Sequence, residues 1–236
     1  MRYEFYWPVL WEHRLDLWNG FVITMELFIV GTVLSVAAGI VVGTLGTFKN
    51  RWLRLFAEVY VEFNRNLPIV IQFFFLYFAV GLDAFTAGVV GLTIHQSAYM
   101  AEVIRAGIQS VDSGQFEAGR STGLNTIGVL RHIVLPQAFV ITLPPMTTQI
   151  LEVLKNSAIA MTIAVPELTF QTQQIESYTF RGFEAATAAT VVYLALAAVL
   201  VWGANRIEWW VTERRMVAPE LRERGTELAQ KMAKGG

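Results

Sequence analysis

DSGQFEAGRSTGLNTIGVLRHIVLP, residues 112–136, lies between two long apolar runs and is polar enough to leave a bilayer. Asp112 followed three residues later by Gln115 is a capping-box pattern, which predicts a short helix through about Thr122. Gly123 fits as its left-handed C-terminal residue, and Asn125 is placed to cap a second short helix from about Thr126. The stretch therefore reads as a helix–turn–helix on a membrane face. Ala118 and Gly119 would make its exposed ridge thin enough to seat in a groove. Glu117 would accept charge-assisted hydrogen bonds from a basic partner or nearby backbone N–H groups, and Pro136 would mark the return into the bilayer. A DNA-reading helix–turn–helix has a similar outline but needs a basic face to neutralise phosphates. Only Arg120, Arg131 and His132 are at hand. Nucleic acid is excluded.

The rest of the chain supports the membrane reading. Charged residues make up 16% of the 236 and hydrophobic residues 54%, against about 25% charged in ordinary soluble domains. Several apolar runs reach the roughly 20 residues that a bilayer crossing needs. Five spans are expected, near 21–46, 55–82, 85–108, 138–165 and 185–205. Around them the sequence divides into an extracytoplasmic segment (1–19), a transmembrane domain (20–210) and a cytoplasmic tail (211–236), of which 219–234 reads as a solvated helix. The amino terminus has no basic stretch followed by an apolar core, so a cleaved signal peptide is not expected. With no cysteine, thiol chemistry is excluded. No arrangement resembles a metal site or a catalytic triad.

Lys and Arg set the orientation. Lys49, Arg51, Arg54, Arg105, Arg120, Arg131 and the cationic residues from Arg206 onward fall on one side, and only Arg2, Arg14 and Arg181 on the other. The amino terminus should lie outside, with the carboxyl terminus and the 112–136 loop in the cytoplasm. Five spans without an internal repeat look like half of a transport path. A dimer, with itself or a relative, would supply the other wall. Gly39 and Gly43 in the first span have GxxxG spacing, which permits close helix contact or merely reflects the frequency of glycine in membrane helices.

Ionisable groups within spans are functional candidates. The second span carries Glu58, Glu62 and Arg65, then Pro68 and an apolar run from Ile69 to Val80 too short to cross alone. A helix broken or bent near Pro68 is expected, with its polar half facing protein or a cavity. Glu62 and Arg65, three residues apart, could instead neutralise each other. In the fourth span Gln149, Glu152, Lys155 and Asn156 recur every three or four residues and would share a pore-lining face. Lys155 could meet a carboxylate, or simply pair with Glu152. His95 and Gln96 are weaker candidates, since a satisfied core histidine is the commoner arrangement. Pro166-Glu167 opens an amphipathic stretch placed to lie along the outer surface or to serve as a capped connector.

Glu117-Ala118-Gly119, Gly123 and, after nine residues, Ile133-Val134-Leu135-Pro136 resemble the E-A-A-x(3)-G-x(9)-I-x-L-P loop of ATP-binding-cassette (ABC) importer permeases. Further stretches are similar to the polar-amino-acid branch of that family. They are Asn64-Arg65-Asn66-Leu67-Pro68 with Gln72 and Phe74, Ala98-Tyr99 with Ala101-Glu102 and Arg105-Ala106-Gly107, and Lys155-Asn156-Ser157 with Pro166-Glu167-Leu168. Departures are Gly119 for the second Ala, Leu67 for a common Thr and Ala158 for a common Ser. The resemblance implies an all-α, type I ABC importer permease of the bacterial inner membrane. Glu117, Ala118, Gly119, Gly123, Ile133, Leu135 and Pro136 would couple it to an ATPase dimer. Arg65, Pro68, Gln72, Gln149, Glu152, Lys155 and Asn156 are the substrate-pathway candidates. It further implies a homodimer or a heterodimer with a related permease, and an extracytoplasmic solute-binding protein. The chain has no G-x(4)-G-K-[ST] phosphate loop, so it would bind no cofactor and catalyse nothing, ATP and Mg residing on the ATPase. The NRNLP segment and the Tyr3-Glu4-Phe5…Trp7 opening resemble glutamate/aspartate-type permeases, and the cations Arg65 and Lys155 would suit an acidic solute. A glutamine or broader polar amino-acid permease is the first alternative and an ATP-independent secondary transporter the second.

Overall fold

A computed structural model describes residues 3–216, without side chains for 212–216, and the described residues are all helix and connecting turns. The tail expected as a solvated helix at 219–234 lies outside the described residues. Ten α-helices follow one another. They are α1 (Pro8–Glu12), α2 (Arg14–Leu45), α3 (Arg51–Asn66), α4 (Ile69–Phe74), α5 (Ala84–Gln109), α6 (Ser113–Ser121), α7 (Thr126–Val129), α8 (Leu135–Ser157), α9 (Leu168–Thr179) and α10 (Gly182–Met216). Single π turns extend α4 through Ala79 and join α7 to α8, and a 3-10 segment prolongs α8 to Ile163.

Helices occupy all five expected regions, but their boundaries carry physical information. Three stretches are long and apolar enough to cross a membrane by length and composition: Arg14–Leu45, Thr126–Ile163 and Gly182–Val211. The first begins seven residues earlier than expected, because the 14–20 segment continues the helix beyond the apolar run. The expected second span is two pieces. Pro68 disfavours the helical region for the residue before it, so Leu67 is extended (φ −100°, ψ 124°) and α3 stops there. The piece that follows, Ile69–Ala79, is apolar but short.

α5 is the central helix, packed against α2, α3, α4 and α8. Its N-terminus is capped by Asp83, which accepts from the Thr86 N–H at 3.0 Å. Leu92 and Met100 on α5 join Leu27, Phe73, Val153 and Leu154 in one core, every one of them essentially inaccessible to solvent. The GxxxG pair in α2 is a contact surface. A Cβ on Gly39 would lie 2.7 Å from Met100 Cβ, and one on Gly43 would lie 2.6 Å from the Ala101 carbonyl oxygen. Glycine there lets two backbones touch.

α9 and α10 close the end of the bundle opposite the α6–α7 hairpin. The buried Glu167 accepts the N–H groups of Thr169 and Phe170, both at 2.8 Å, and the Tyr193 hydroxyl at 3.0 Å. Pro166-Glu167 therefore opens a capped connector whose cap also fastens it to α10. Burial raises the Glu167 carboxyl above its ordinary range, against the pull of the two backbone N–H groups. The N-terminal segment straps the same corner. Glu184 accepts the Tyr3 hydroxyl at 2.5 Å and the Tyr6 N–H at 2.7 Å, while Arg181 donates to the Glu4 carbonyl at 2.6 Å.

Candidate functional site

The 112–136 stretch folds as its turn chemistry requires. Asp112 caps α6 by accepting the Gly114 N–H at 2.6 Å. Gly123 adopts φ +86°; its N–H bonds the Arg120 carbonyl and that of Leu124 the Gly119 carbonyl. Those two bonds make a complete Schellman closure. Asn125 then accepts the Gly128 N–H at 2.8 Å and starts α7. The π turn Leu130–Val134 carries the backbone straight into α8, with Pro136 in its first turn.

Glu117 and Ala118 are exposed, and the Glu117 carboxylate has no partner among the described residues. Gly119 does not belong to the exposed ridge. It is buried and faces the second arm of the hairpin: a Cβ there would lie 2.6 Å from Ile133 Cδ1 and 3.0 Å from Val129 Cγ2. A small residue is needed because the two short helices nearly touch. The outer surface instead presents Glu117, Ala118, Leu124 and Leu135, with Ile127 76% exposed at its tip.

The second constellation is a polar layer halfway along α5. Gln96 Nε2 donates to the Gln149 carbonyl at 3.1 Å and to its Oε1 at 2.8 Å, and Asn156 Nδ2 reaches Gln96 Oε1 at 3.5 Å. On the other flank Gln72 Nε2 donates to the Asn64 carbonyl at 3.2 Å and lies 3.3 Å from His95 Nδ1. Gln72 Oε1 is buried with no partner among the described residues, an acceptor free to meet a ligand. The break at Pro68 separates Asn64 from Gln72 along the chain, yet returns Gln72 to bond the Asn64 carbonyl.

The fourth-span residues divide into two sets. Gln149 and Asn156 turn to Gln96, whereas Lys155 and Glu152 form an ion pair at a more exposed edge. Adjacent residues differ by about 100° around a helix, which places Lys155 away from Asn156. In the second span the result is the reverse. Glu62 is not within ion-pair distance of Arg65; it accepts from Asn66 at 3.3 Å, and the Arg65 guanidinium lies 5.2 Å above the Tyr99 ring. Arg65 also lines a cavity of about 160 Å³ between α2, α3 and α5, with Glu58, Glu62, Glu102 and Arg105. No cavity among those described unites Arg65 with Lys155.

Two residues, one beside Arg65 and one elsewhere on α2, went unremarked as site residues in the sequence. Tyr99 supplies the ring under Arg65 and donates its hydroxyl to the Arg65 carbonyl at 3.3 Å. Glu26 is an exposed carboxylate on α2, among the exposed Ile29, Val30 and Val33, without a partner among the described residues. Its signal was simple: one acid within an apolar run.

Residues 35–212 match the family model described as the binding-protein-dependent transport system inner membrane component. A probable glutamine ABC transporter permease protein of Bacillus subtilis is 37% identical over 205 residues, covering 84% of this chain and 94% of the relative. A glutamate/aspartate import permease protein of Escherichia coli is 30% identical over 203 residues, covering 78% and 82%. The solved structure of an amino acid ABC transporter with histidines contains a chain that is 31% identical, with a TM-score of 0.81, and the match covers 88% of this chain and 99% of that one.

Proposed function

Because the chain belongs to the family of binding-protein-dependent transport system inner membrane components, as an amino-acid ABC importer permease, we propose that it passes polar amino acids to the cytoplasm by alternating access. In this reading the α6–α7 hairpin seats in the groove of a separate ATPase, which holds ATP and Mg. A solute-binding protein delivers from the opposite face. The hairpin face is cytoplasmic and the amino terminus outside, in agreement with the Lys and Arg distribution.

The observation that carries the proposal is the hairpin itself. It is a doubly capped unit that presents a free Glu117 carboxylate and is continuous through a π turn with α8, the helix that holds Gln149 and Asn156 against Gln96. A second permease copy, or a related permease, gives Glu26 a reason to stand on an exposed face. A charge directed into lipid is costly, and a facing subunit or a water-filled path between subunits relieves that cost.

For the solute, the balance favours a neutral polar amino acid of the glutamine kind. The cavity around Arg65 carries three carboxylates (Glu58, Glu62, Glu102) against two guanidiniums (Arg65, Arg105), so its field does not select an anion. Lys155, the other cation invoked for an acidic solute, is paired with Glu152. A glutamine permease is also the more similar of the two relatives compared. An acidic solute keeps one supporting feature, the Arg65 guanidinium with no carboxylate within 4.0 Å among the described residues.

The test is uptake into proteoliposomes that hold the complete transporter, with ATP inside and the binding protein outside. Labelled glutamine should accumulate only when both are present, with unlabelled glutamate a poor competitor. Glutamate uptake of equal efficiency would restore the acidic assignment. Accumulation indifferent to ATP would overturn the importer.

A further inference from the structure

An apolar groove of about 360 Å³ opens at the end of the bundle opposite the hairpin, within the range of about 300–1,000 Å³ common to small-molecule clefts. Leu10 of α1, Leu17, Trp18 and Phe21 of α2, and Ala188 and Val192 of α10 form its walls. Among the described residues lining it, Arg14 alone is charged. We propose that this groove seats one phospholipid of the adjoining leaflet, its acyl chain between α2 and α10 and its phosphate on Arg14.

The order of polarity along the groove is that of a lipid. Arg14 is the first residue of α2 and Phe21 lies two helical turns deeper, about 10 Å at the α-helical rise. A headgroup at Arg14 therefore directs its chain along Leu17 and Phe21 toward the bilayer interior. The guanidinium is available. It donates through one nitrogen to the Trp11 carbonyl at 2.9 Å and lies 4.7 Å from the Trp11 ring, with no carboxylate within ion-pair distance among the described residues. Guanidinium carries five N–H donors in a fork that suits phosphate. The neighbouring acids are engaged elsewhere, Asp16 with His13 at 3.0 Å and Glu12 with the Tyr6 hydroxyl at 3.2 Å.

The groove is held in shape and is continuous with the lipid-facing surface. Val9, fully packed against Ile175 and Ala185, and the Tyr3 and Tyr6 bonds to Glu184 fix the strap that positions Leu10. Trp11 and Trp18 are 72% and 60% exposed beside the opening. Indole is the ring enriched where headgroups meet acyl chains. Below Arg14 the groove is walled by the apolar side chains of Leu17, Phe21, Ala188 and Val192, which give water no partners, and hydrocarbon is the occupant in contact with them. Arg14, Trp18 and Leu17 thereby gain a role outside the transport path, and the inference stands whichever solute is carried.

The experiment is native mass spectrometry of the intact detergent-purified transporter, titrated with phosphatidylglycerol and with phosphatidylethanolamine. The unaltered protein should retain one phosphatidylglycerol per permease chain. Ala188→Trp, which fills the groove, should abolish that adduct. Arg14→Gln, on the exposed rim, should weaken phosphatidylglycerol about fivefold, the effect of removing one surface cation. Soluble glycerol phosphate should not displace the lipid. Equal retention by the unaltered protein and Arg14→Gln overturns the proposal, and that arm decides even where Ala188→Trp fails to assemble. Displacement by glycerol phosphate would leave only an anion site. Loss of binding-protein docking in Ala188→Trp with lipid retention unchanged would give the groove to a protein.

Discussion

Replacing Gly119 separates the two roles a small residue could play in the hairpin. With Gly119→Ala, the new methyl would lie 2.6 Å from Ile133 Cδ1 and 3.0 Å from Val129 Cγ2. Ile133 Cδ1 is the far end of a flexible chain, and turning it about 30° costs roughly 0.5–1.5 kcal/mol. Val129 is β-branched and stiff, but needs to yield only a few tenths of an ångström. Against this, alanine gains about 0.8–1.0 kcal/mol over glycine inside a helix, so the net change should be near zero. Gly119→Leu has no such escape. Its branched end would fill the space now occupied by Ile133, at an overpacking cost of about 1–3 kcal/mol. The Schellman bonds at Gly123 and Leu124 fix how α6 enters the turn, so the relief comes from spreading α6 away from α7. If that cost must be met to dock the hairpin, affinity for the ATPase falls about fivefold to 150-fold. The assay is co-purification of the ATPase with tagged permease, together with ATP hydrolysis stimulated by loaded binding protein. The alanine variant should assemble normally and the leucine variant should not. Normal assembly of Gly119→Leu, or equal damage from both, would refute the inward-facing assignment.

Three further outcomes follow from particular contacts. Gly43→Ala forces a methyl to 2.6 Å from the Ala101 carbonyl, a backbone atom that cannot swing aside. Overpacking of about 1–3 kcal/mol should lower Tm by about 2–12 °C, while Gly203→Ala, with nothing within 4 Å of the new methyl among the described residues, should not; equal Tm values for the two would sink the α2–α5 contact. Glu167→Gln should alter the pH dependence of stability. The Glu167 carboxyl is raised above 4.5 by burial, so the folded state holds its proton more tightly than the unfolded chain. Its contribution is fully present below the unfolded value and is lost as pH rises through the raised one. The Tm of the unaltered protein relative to the variant should therefore fall as pH climbs from 4.5, and a constant difference would contradict the assignment. Arg65→Ala and Tyr99→Leu each break a cation–π contact of about 0.5–2 kcal/mol. Each should raise the KM for uptake between about twofold and thirtyfold with ATPase docking intact. An unchanged KM for both would take Arg65 off the solute path.

Features fixed by a few neighbouring residues were legible in the sequence. Asp112, Gly123 and Asn125 act through bonds within four residues of themselves, and Pro68 acts on Leu67 directly. The direction of Gly119 depends on how α6 lies against Ile133, fourteen residues away, and helical periodicity is silent on that. The three- and four-residue spacing of Gln149, Glu152, Lys155 and Asn156 suggested one shared face, yet a stripe is broader than the contact it makes, and in the fold the four divide into two sets. Only Gln149 and Asn156 meet Gln96. Two i, i+3 pairs looked equivalent, but Lys155 met its carboxylate while Arg65 turned to a ring 34 positions away. The strap was hidden for the same reason, since Tyr3 and Glu184 are 181 residues apart.

The helical path from Thr126 to Ile163 explains why a hairpin at one end of the molecule can matter to a polar layer near its middle. It is 38 residues without a loop, about 57 Å at the α-helical rise. Its two halves are held differently. Val153, Leu154 and Ile163 are locked in the core, whereas Phe139, Ile141, Pro144 and Pro145 are exposed. The change falls at Pro144-Pro145, which have no N–H to give the preceding turn. Their missing N–H groups leave the Val140 and Ile141 carbonyls without the usual i+4 donor. Gln149 sits one turn beyond that weakened step, where the compliant half meets the fixed one. Ala138 and Thr142 already pack on Gly107 of the central helix nearer the hairpin. The bonds of Gln149 to Gln96 are the first hydrogen bonds to that helix, among the described residues, that a displacement carried along the chain would strain. A rigid rod would load every α5–α8 contact together, and a loop in place of the π turn would load none.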